Sequence, residues 1–422
     1  MASELAILKT IPSGWFKKVN KYTGEIEDTR KNFQSGDLSA LFSIHYQNRL
    51  RFNYLSLKSE IDGEPLADDV IENMYVWLSE RGYSVPKNTA IDALHFAAQK
   101  NGFHPVVEYL EQIASDPKIQ PIDLNTVSTK YLGTNSDLYD SMLKATLIGL
   151  VSRVFDRGCK FDTCCVLKGS QGIGKSSFWR ILASEDWFCD TWQEKDQDLF
   201  MAIQTCVIYE LAELDSMTSK KDAGRVKALL SSATDTFKRP YARGIGKHPR
   251  PSILVGSCNA SDFLNDPTGS RRFWVIDLGN QFIDLEKLRR NRDRIYKAAV
   301  LAYRQGLKPC LTDNEQIRSN ENNHLYEAEN PFYFPIYQWI NKPTFEMDFG
   351  KEGKHKGFTT AQAVTESGCR SENSVKNIDL KMAANALKEL DFEQHNQSYE
   401  QGKKTPRKWF RVDRHPQQME IS

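Results

Sequence analysis

The residues best equipped for chemistry are Gly169-Ser170-Gln171-Gly172-Ile173-Gly174-Lys175-Ser176, followed by Ser177, and they fit the pattern Gly-x4-Gly-Lys-[Ser/Thr]. An apolar strand, Thr163–Lys168, leads into them, and a helix is expected over Lys175–Ala183. Between a strand and a helix, glycines let the chain curl until successive N–H groups point at a phosphate, and the helix adds the positive end of its dipole. Lys175 is then placed to neutralise β- and γ-phosphate oxygens, and the Ser176 hydroxyl to ligate Mg²⁺. The cofactors expected are ATP and Mg²⁺. The bland alternative is a glycine-rich turn that binds nothing.

Hydrolysis also needs an acid at the end of a neighbouring strand, to hold the hydrated metal and polarise the attacking water. Cys206-Val-Ile-Tyr-Glu210-Leu-Ala-Glu213 offers two. Glu210 reads as the acid on the metal side and Glu213 as the base, the other reading of Glu213 being an exposed helix cap. Ile253–Asn259 is an apolar strand ending in an amide that could orient the lytic water, although Asn also favours turns. Arg271 and Arg272 lie on a turn before the apolar strand Phe273–Leu278. Their planar, permanent charge suits developing phosphoryl charge, so one of them is a candidate finger into a neighbouring subunit's site. A structural ion-pair role is the alternative for either.

Between the acid strand and the Asn strand, Phe237–Arg250 holds Lys238, Arg239, Arg243, Lys247 and Arg250 and no acid. Mixed with Tyr241 and turn-forming Pro and Gly, these residues suit a projecting loop that tracks a nucleic-acid backbone. A solvated charged face is the plainer reading. A second basic stretch, Lys403–Arg411, closes the last module as the wing of a winged helix would, with a duplex or a DNA end as its partner.

These residues need a scaffold, and the rhythm of the chain supplies one. Strands Thr163–Lys168, Thr205–Leu211 and Ser252–Cys258 alternate with helices at Lys175–Ala183 and Val226–Ser232, as a parallel α/β sheet requires. Residues 136–310 form this core. Upstream lie a polar lead-in arm (1–37) and a mostly helical domain (38–135), with a half-buried strand at Leu50–Leu57, a turn at Asp62-Gly63 and helical faces stopping at Gly82 and Gly102. His95 and the aromatics there read as core. Downstream, a polar link (311–343) leads to a small α/β module (344–422).

The composition is that of an ordinary folded protein: 422 residues, 40% hydrophobic and 26% charged, with a formal charge of +1 that asks for no polyanionic or membrane partner overall. Eight cysteines without a Cys-x-x-Cys pair argue for a reducing compartment and against a zinc module. No signal peptide and no apolar run of about 18 residues is visible, so the expected location is the cytoplasm, without a membrane partner.

Taken together, Gly169–Ser176, Glu210-x-x-Glu213, Lys238-Arg-Pro-Tyr-x-Arg243, His248-Pro-Arg250, Val255-Gly-Ser-x-Asn259, Phe263-Leu-x-Asp266 and Thr268-Gly-Ser-Arg-Arg-Phe-Trp274 closely resemble the virulence-associated E family of P-loop ATPases. That family occurs on phages, satellites and genomic islands and is related to superfamily-3 helicases of the AAA+ class. Phe103–Leu110 is similar to its lead-in, and the likeness is dense over about residues 100–280. The resemblance implies a P-loop AAA+ core; it is slight after residue 330, and the winged-helix-like reading of the C-terminal module rests on the basic strand pair above. The resemblance further implies a homo-oligomeric, hexameric ring that threads single-stranded DNA past basic hairpins. Lys175 and Ser176 would hold phosphate and metal, Glu210 and Glu213 the acid motif, Asn259 the sensor, and Arg271 or Arg272 the finger in trans. Lys238, Arg239 and Arg243 would form the DNA hairpin. Two departures stand out: the glutamates are separated where many superfamily-3 enzymes have adjacent acids, and neither a zinc ribbon nor a paired-Asp primase site is present, Asp196-Gln-Asp198 reading as loop.

The leading expectation is therefore an ATP-dependent DNA helicase serving replication of a mobile element, with priming left to a separate primase or initiator. A nucleotide-switched assembly or defence ATPase, which recruits a partner without unwinding DNA, is the alternative. A small-molecule P-loop kinase fits least, since a polymer-sized basic loop replaces the lid such an enzyme needs.

Overall fold

A computed structural model describes residues 15–32, 35–214, 220–238, 244–259, 263–264, 267–327, 330–345, 357–395, 399–400, 403–404 and 407–411. They form two compact units, Met1–Tyr326 and Glu327–Ser422.

Unit 1 opens with strands where a polar arm was expected. Strands β1 (Trp15–Val19) and β2 (Ile26–Asn32) pair antiparallel. Their charged sequence shows no apolar alternation, because pairing and not burial defines them. Strands β3 (Leu50–Asn53), β4 (Lys58–Ile61) and β5 (Glu64–Pro65) make a second antiparallel sheet, and β6 (Tyr83–Ser84) joins β2 in parallel. Between β4 and β5, Asp62 and Gly63 both take positive φ (58° and 85°), the pair of angles a type I′ turn demands. Helices Ser35–Tyr46 and Lys87–Lys100 cover the sheet with Leu38, Phe42, Leu94 and Ala97, all fully buried.

The centre of unit 1 is one parallel sheet. Its strands are β7 (Cys164–Lys168), β8 (Phe188–Cys189), β9 (Ile208–Leu211), β12 (Ile253–Cys258) and β13 (Phe273–Asp277), in the order β13-β7-β12-β9-β8. An antiparallel hairpin, β10 (Thr234–Phe237) with β11 (Gly246–Pro249), interrupts the alternation. Strands β7, β9 and β12 are buried almost throughout, which is why they read as unbroken apolar runs: both faces are covered. The period of two sorts their side chains. Cys165 and Leu167 pack into a core with helices Asp137–Phe155, Lys175–Ala183 and Leu285–Arg304, while Cys164 and Val166 meet Leu199, Ile203, Leu229 and Leu230 on the other face.

The stretch expected as a polar link, 311–343, carries helices instead. Asp313–His324 lies along the edge strand β13, where Asn322 Nδ2 donates to Val275 O (3.0 Å) and Asn323 Nδ2 to Phe273 O (2.9 Å). This helix is held to the sheet by amides, so it shows no apolar stripe in the sequence. Tyr333–Ile340 opens unit 2. There, Phe358 bridges Trp409, helices Thr360–Glu366 and Asn377–Glu389 follow, and β14 (Phe392–His395) pairs antiparallel with the final strand; β15 (Tyr399–Glu400), β16 (Lys403–Lys404) and β17 (Lys408–Arg411) complete the unit. Phe332, Ile336, Trp339, Phe358, Leu387 and Trp409 form its core. All eight cysteines are free thiols, and among the described residues no helix is long and apolar enough to cross a membrane.

Candidate active site

The glycine loop leaves the carboxyl end of β7, between β12 on one side and β13 on the other. Gly172 and Gly174 take positive φ (83° and 100°), and a Cβ on Gly169 would lie 2.8 Å from the Gly279 carbonyl, so the curl is reserved for glycine. Neighbouring segments brace it: Ser170 N donates to Gly279 O (2.8 Å), and Ile283 N to Ile173 O (3.1 Å). The helix Lys175–Ala183 then starts with Gly174 as its N-cap. Gln171 and Ser177 complete the predicted cradle at its exposed rim and on the helix's first turn.

The loop draws in side chains from two more strand ends. Lys175 Nζ donates to Gly169 O (2.7 Å), Ser170 O (2.8 Å) and Asn259 Oδ1 (2.8 Å), which places the end of β12 against the loop. Ser176 Oγ donates to Glu210 Oε1 at 2.8 Å. Glu210 is 1% exposed, and its Oε2 is buried without a hydrogen bond of good geometry. Burial pushes the Glu210 carboxyl up from its usual range; the Ser257 and Ser176 hydroxyls pull it down, Asp190 pushes it up again and Arg180 offsets Asp190. A hydroxyl and an orphaned carboxylate oxygen are hard donors of the kind Mg²⁺ takes alongside substrate phosphates, so the residues present fit that ion.

Glu213 stands exposed in the turn after β9, in the left-handed region (φ 51°), and not on a helix. Arg271 and Arg272 end the short helix Pro267–Arg272 immediately before β13. Because β13 runs parallel to β7, with Phe273 opposite Cys164 and Asp277 opposite Lys168, both arginines sit at the amino end of the sheet. About five residues of strand, roughly 16 Å, separate them from this chain's own loop. Asn323 Nδ2 holds their turn through Ser270 O (2.8 Å).

The basic window is a hairpin. Lys238, just past β10, and Lys247 on β11 are exposed; Arg239, Tyr241 and Arg243 lie outside the described residues. Arg250 does not belong with them. It is wholly buried at the hairpin's root, where its Nη2 meets Asp235 Oδ1 at 2.5 Å, Nε meets Asp235 Oδ2 at 3.2 Å and Nη1 donates to Leu229 O at 2.6 Å. Gln204 Nε2 completes the cluster by donating to Asp235 Oδ2 (2.9 Å).

Sequence reasoning missed Ser257, Asp190 and Asp235. Asp190 follows β8 and is tied at 2.7 Å to Arg180 on the loop's helix, a link across strands that spacing does not reveal. Asp235 had a visible signal: an acid alternating with threonines, Thr234-Asp-Thr236, opposite a window with an excess of cations.

No curated protein matches the chain. Among solved structures, the A-form apo structure of the NrS-1 C-terminal region aligns with 13% identity and a TM-score of 0.42, covering 71% of this chain and 78% of that one. A second structure of that region, titled as residues 305–718, aligns with 12% identity and a TM-score of 0.40 over the same shares. The model of the virulence-associated protein E-like domain matches residues 115–328, which include the entire parallel sheet, the glycine loop and the hairpin. The chain is a member of the virulence-associated protein E-like family.

Proposed function

We propose that the protein hydrolyses ATP at the glycine loop and uses the reaction to move along single-stranded DNA, as a helicase in the replication of a mobile element. The observation that carries this reading is the convergence of three strand ends: Lys175 bonded to Asn259, and Ser176 to Glu210, at the carboxyl edge of one parallel sheet. Ligands of open α/β sheets sit at that edge, near the point where the connections reverse direction. Here the chain passes from β7 outward to β8, returns through β9 and β12, and ends beyond β7 at β13, an order that supports a P-loop core of the AAA+ class.

In this reading Lys175 exchanges its loop carbonyls for phosphate oxygens, and Asn259, already beside it, turns its amide to the attacking water. Ser176 and Glu210 would hold Mg²⁺, which, when bound, neutralises phosphate charge. Glu213, exposed at the end of the same strand, takes the proton. Arg271 or Arg272, remote from the loop of its own chain, acts on the site of the next copy in a ring, and a hexamer is the assembly proposed. Lys238 and Lys247, with the loop between them, grip the strand, and another protein supplies the primer.

The test is strand displacement on a forked substrate with ATP and Mg²⁺, comparing the wild type with Lys238→Glu/Lys247→Glu. The wild type should separate strands and the variant should hydrolyse ATP without doing so. A wild type that binds ATP and assembles but leaves the fork intact would leave the nucleotide-switched assembly standing.

A further inference from the structure

Unit 2 carries a second surface that the nucleotide chemistry does not use. Its order is helix Tyr333–Ile340, the bridge at Phe358, helices Thr360–Glu366 and Asn377–Glu389, then the hairpin β14–β17. In this arrangement two helices, joined through residues 367–376 with a 3-10 turn at Glu372–Ser374, are flanked by a wing, and the second helix of such a pair is the one that enters a DNA groove.

The outward face of Asn377–Glu389 has the chemistry for that. Asp379, Ala383, Ala386 and Leu387 turn inward and are buried. Asn377, Ile378, Lys381, Asn385 and Lys388 are exposed, and at 100° per residue they occupy one stripe about 100° wide. The stripe contains no carboxylate; Glu389 stands at its edge in the last turn. The acid of the first turn, Asp379, is 3% exposed, accepts from Lys376 N (2.9 Å) and meets Arg370 Nε at 3.3 Å, so its charge is spent inside the unit. Lys376, ahead of the helix, and Arg407 and Lys408, beside and on β17, add exposed cations.

We infer that unit 2 binds double-stranded DNA, with helix Asn377–Glu389 in the major groove and the β14–β17 hairpin on the adjoining backbone. The helix spans about 20 Å and a bare helix with short side chains fits a groove about 12 Å wide. Asparagine is the residue that pairs bidentately with adenine there, and lysines reach phosphates or guanine. This site is separate from the hairpin proposed for single strands, and its existence does not depend on ATP hydrolysis.

The test uses the full chain without nucleotide, titrated against a fluorescent blunt duplex of about 30 base pairs, roughly three helical turns, and against a single strand of equal length. Lys381→Ala/Lys388→Ala, at two exposed positions, should weaken duplex binding about tenfold or more and flatten the log–log salt dependence by about two. Single-strand binding and basal ATP hydrolysis should match the wild type. Asn385→Asp, which puts a carboxylate on the same stripe, should reproduce the duplex defect. Unchanged duplex affinity and slope in both variants, no duplex binding by the wild type, or an equal loss for single strands would each overturn the proposal. A wild type that binds duplex normally yet hydrolyses no ATP would overturn the motor reading alone and uphold this one.

Discussion

The two ends of the parallel sheet are built for opposite conditions. At the carboxyl end, Lys175 bonds to Asn259 and Ser176 to Glu210 within a single chain, and Glu210 Oε2 is buried without a hydrogen bond of good geometry. At the amino end, Arg271 is exposed, Arg272 Nε is buried without a partner, and the turn bearing them is pinned by backbone contacts from Asn323. In the proposed reading the loop is a nucleotide cradle, and it and the pair of arginines held away from it become two halves of one site when copies of the chain stand end to end. In the proposed ring, the first half binds and the second reports that a neighbour is in place.

The largest effect is expected from the cradle. Lys175→Ala should lower ATP hydrolysis by roughly 10²-fold or more, since a charge aimed at the transferring phosphoryl group is lost; a phosphate-release assay reads it. Arg271→Ala or Arg272→Ala should do comparable damage, since a finger's charge acts on the same phosphoryl group, although neither approaches its own loop. Mixing the damaging arginine variant with Lys175→Ala sharpens the contrast. Each supplies what the other lacks, so the mixture should hydrolyse faster than the sum of its parts; an additive mixture would refute a shared site.

Glu210→Gln should also stop hydrolysis but should not weaken the fold. Burial raises this carboxyl, so its folded form holds a proton that the unfolded chain gives up earlier. Stability is therefore full below the unfolded value and is lost as pH rises through the folded one. The neutral glutamine escapes that loss, and thermal melts without nucleotide at about pH 8 should find the variant at least as stable as the wild type. The hairpin root behaves oppositely. Arg250→Met strands the Asp235 charge, with no exposure of either side chain, and should cost about 3–5 kcal/mol, whereas Asp235→Leu/Arg250→Met should recover most of it.

The smallest effect concerns His104, whose ring Nδ1 accepts from Val107 N at 3.4 Å to cap helix Pro105–Ser115. Burial first, and Arg157 second, depress it to about 4. Its contribution is present above the ordinary histidine value and fades as pH falls toward about 4. His104→Asn keeps a capping acceptor without the titration. Denaturant melts across that window should show a shallower acid loss in the variant.

Much of the carboxyl end was legible because its physics is local or repetitive. Glycines at Gly169, Gly172 and Gly174 and the buried strands β7, β9 and β12 write their structure into composition. The amino end was legible only as two cations on a turn; that β13 returns beside β7 and carries them away from the loop is a fact of topology. The root of the hairpin was misread for a related reason. Arg250 looks like one more surface charge until Asp235 and Gln204 close around it. The strands β1 and β2 and helix Asp313–His324 escaped notice because pairing and amide contacts, not apolar period, hold them.

The most direct measurement is the steady-state rate of ATP hydrolysis by the wild type as oligothymidylate is added at low salt. Coupling between the loop and the hairpin predicts a rate that climbs and saturates with the strand, and a climb that vanishes in Lys238→Glu/Lys247→Glu. A single rate at every concentration of strand, with no binding of it, would contradict the account.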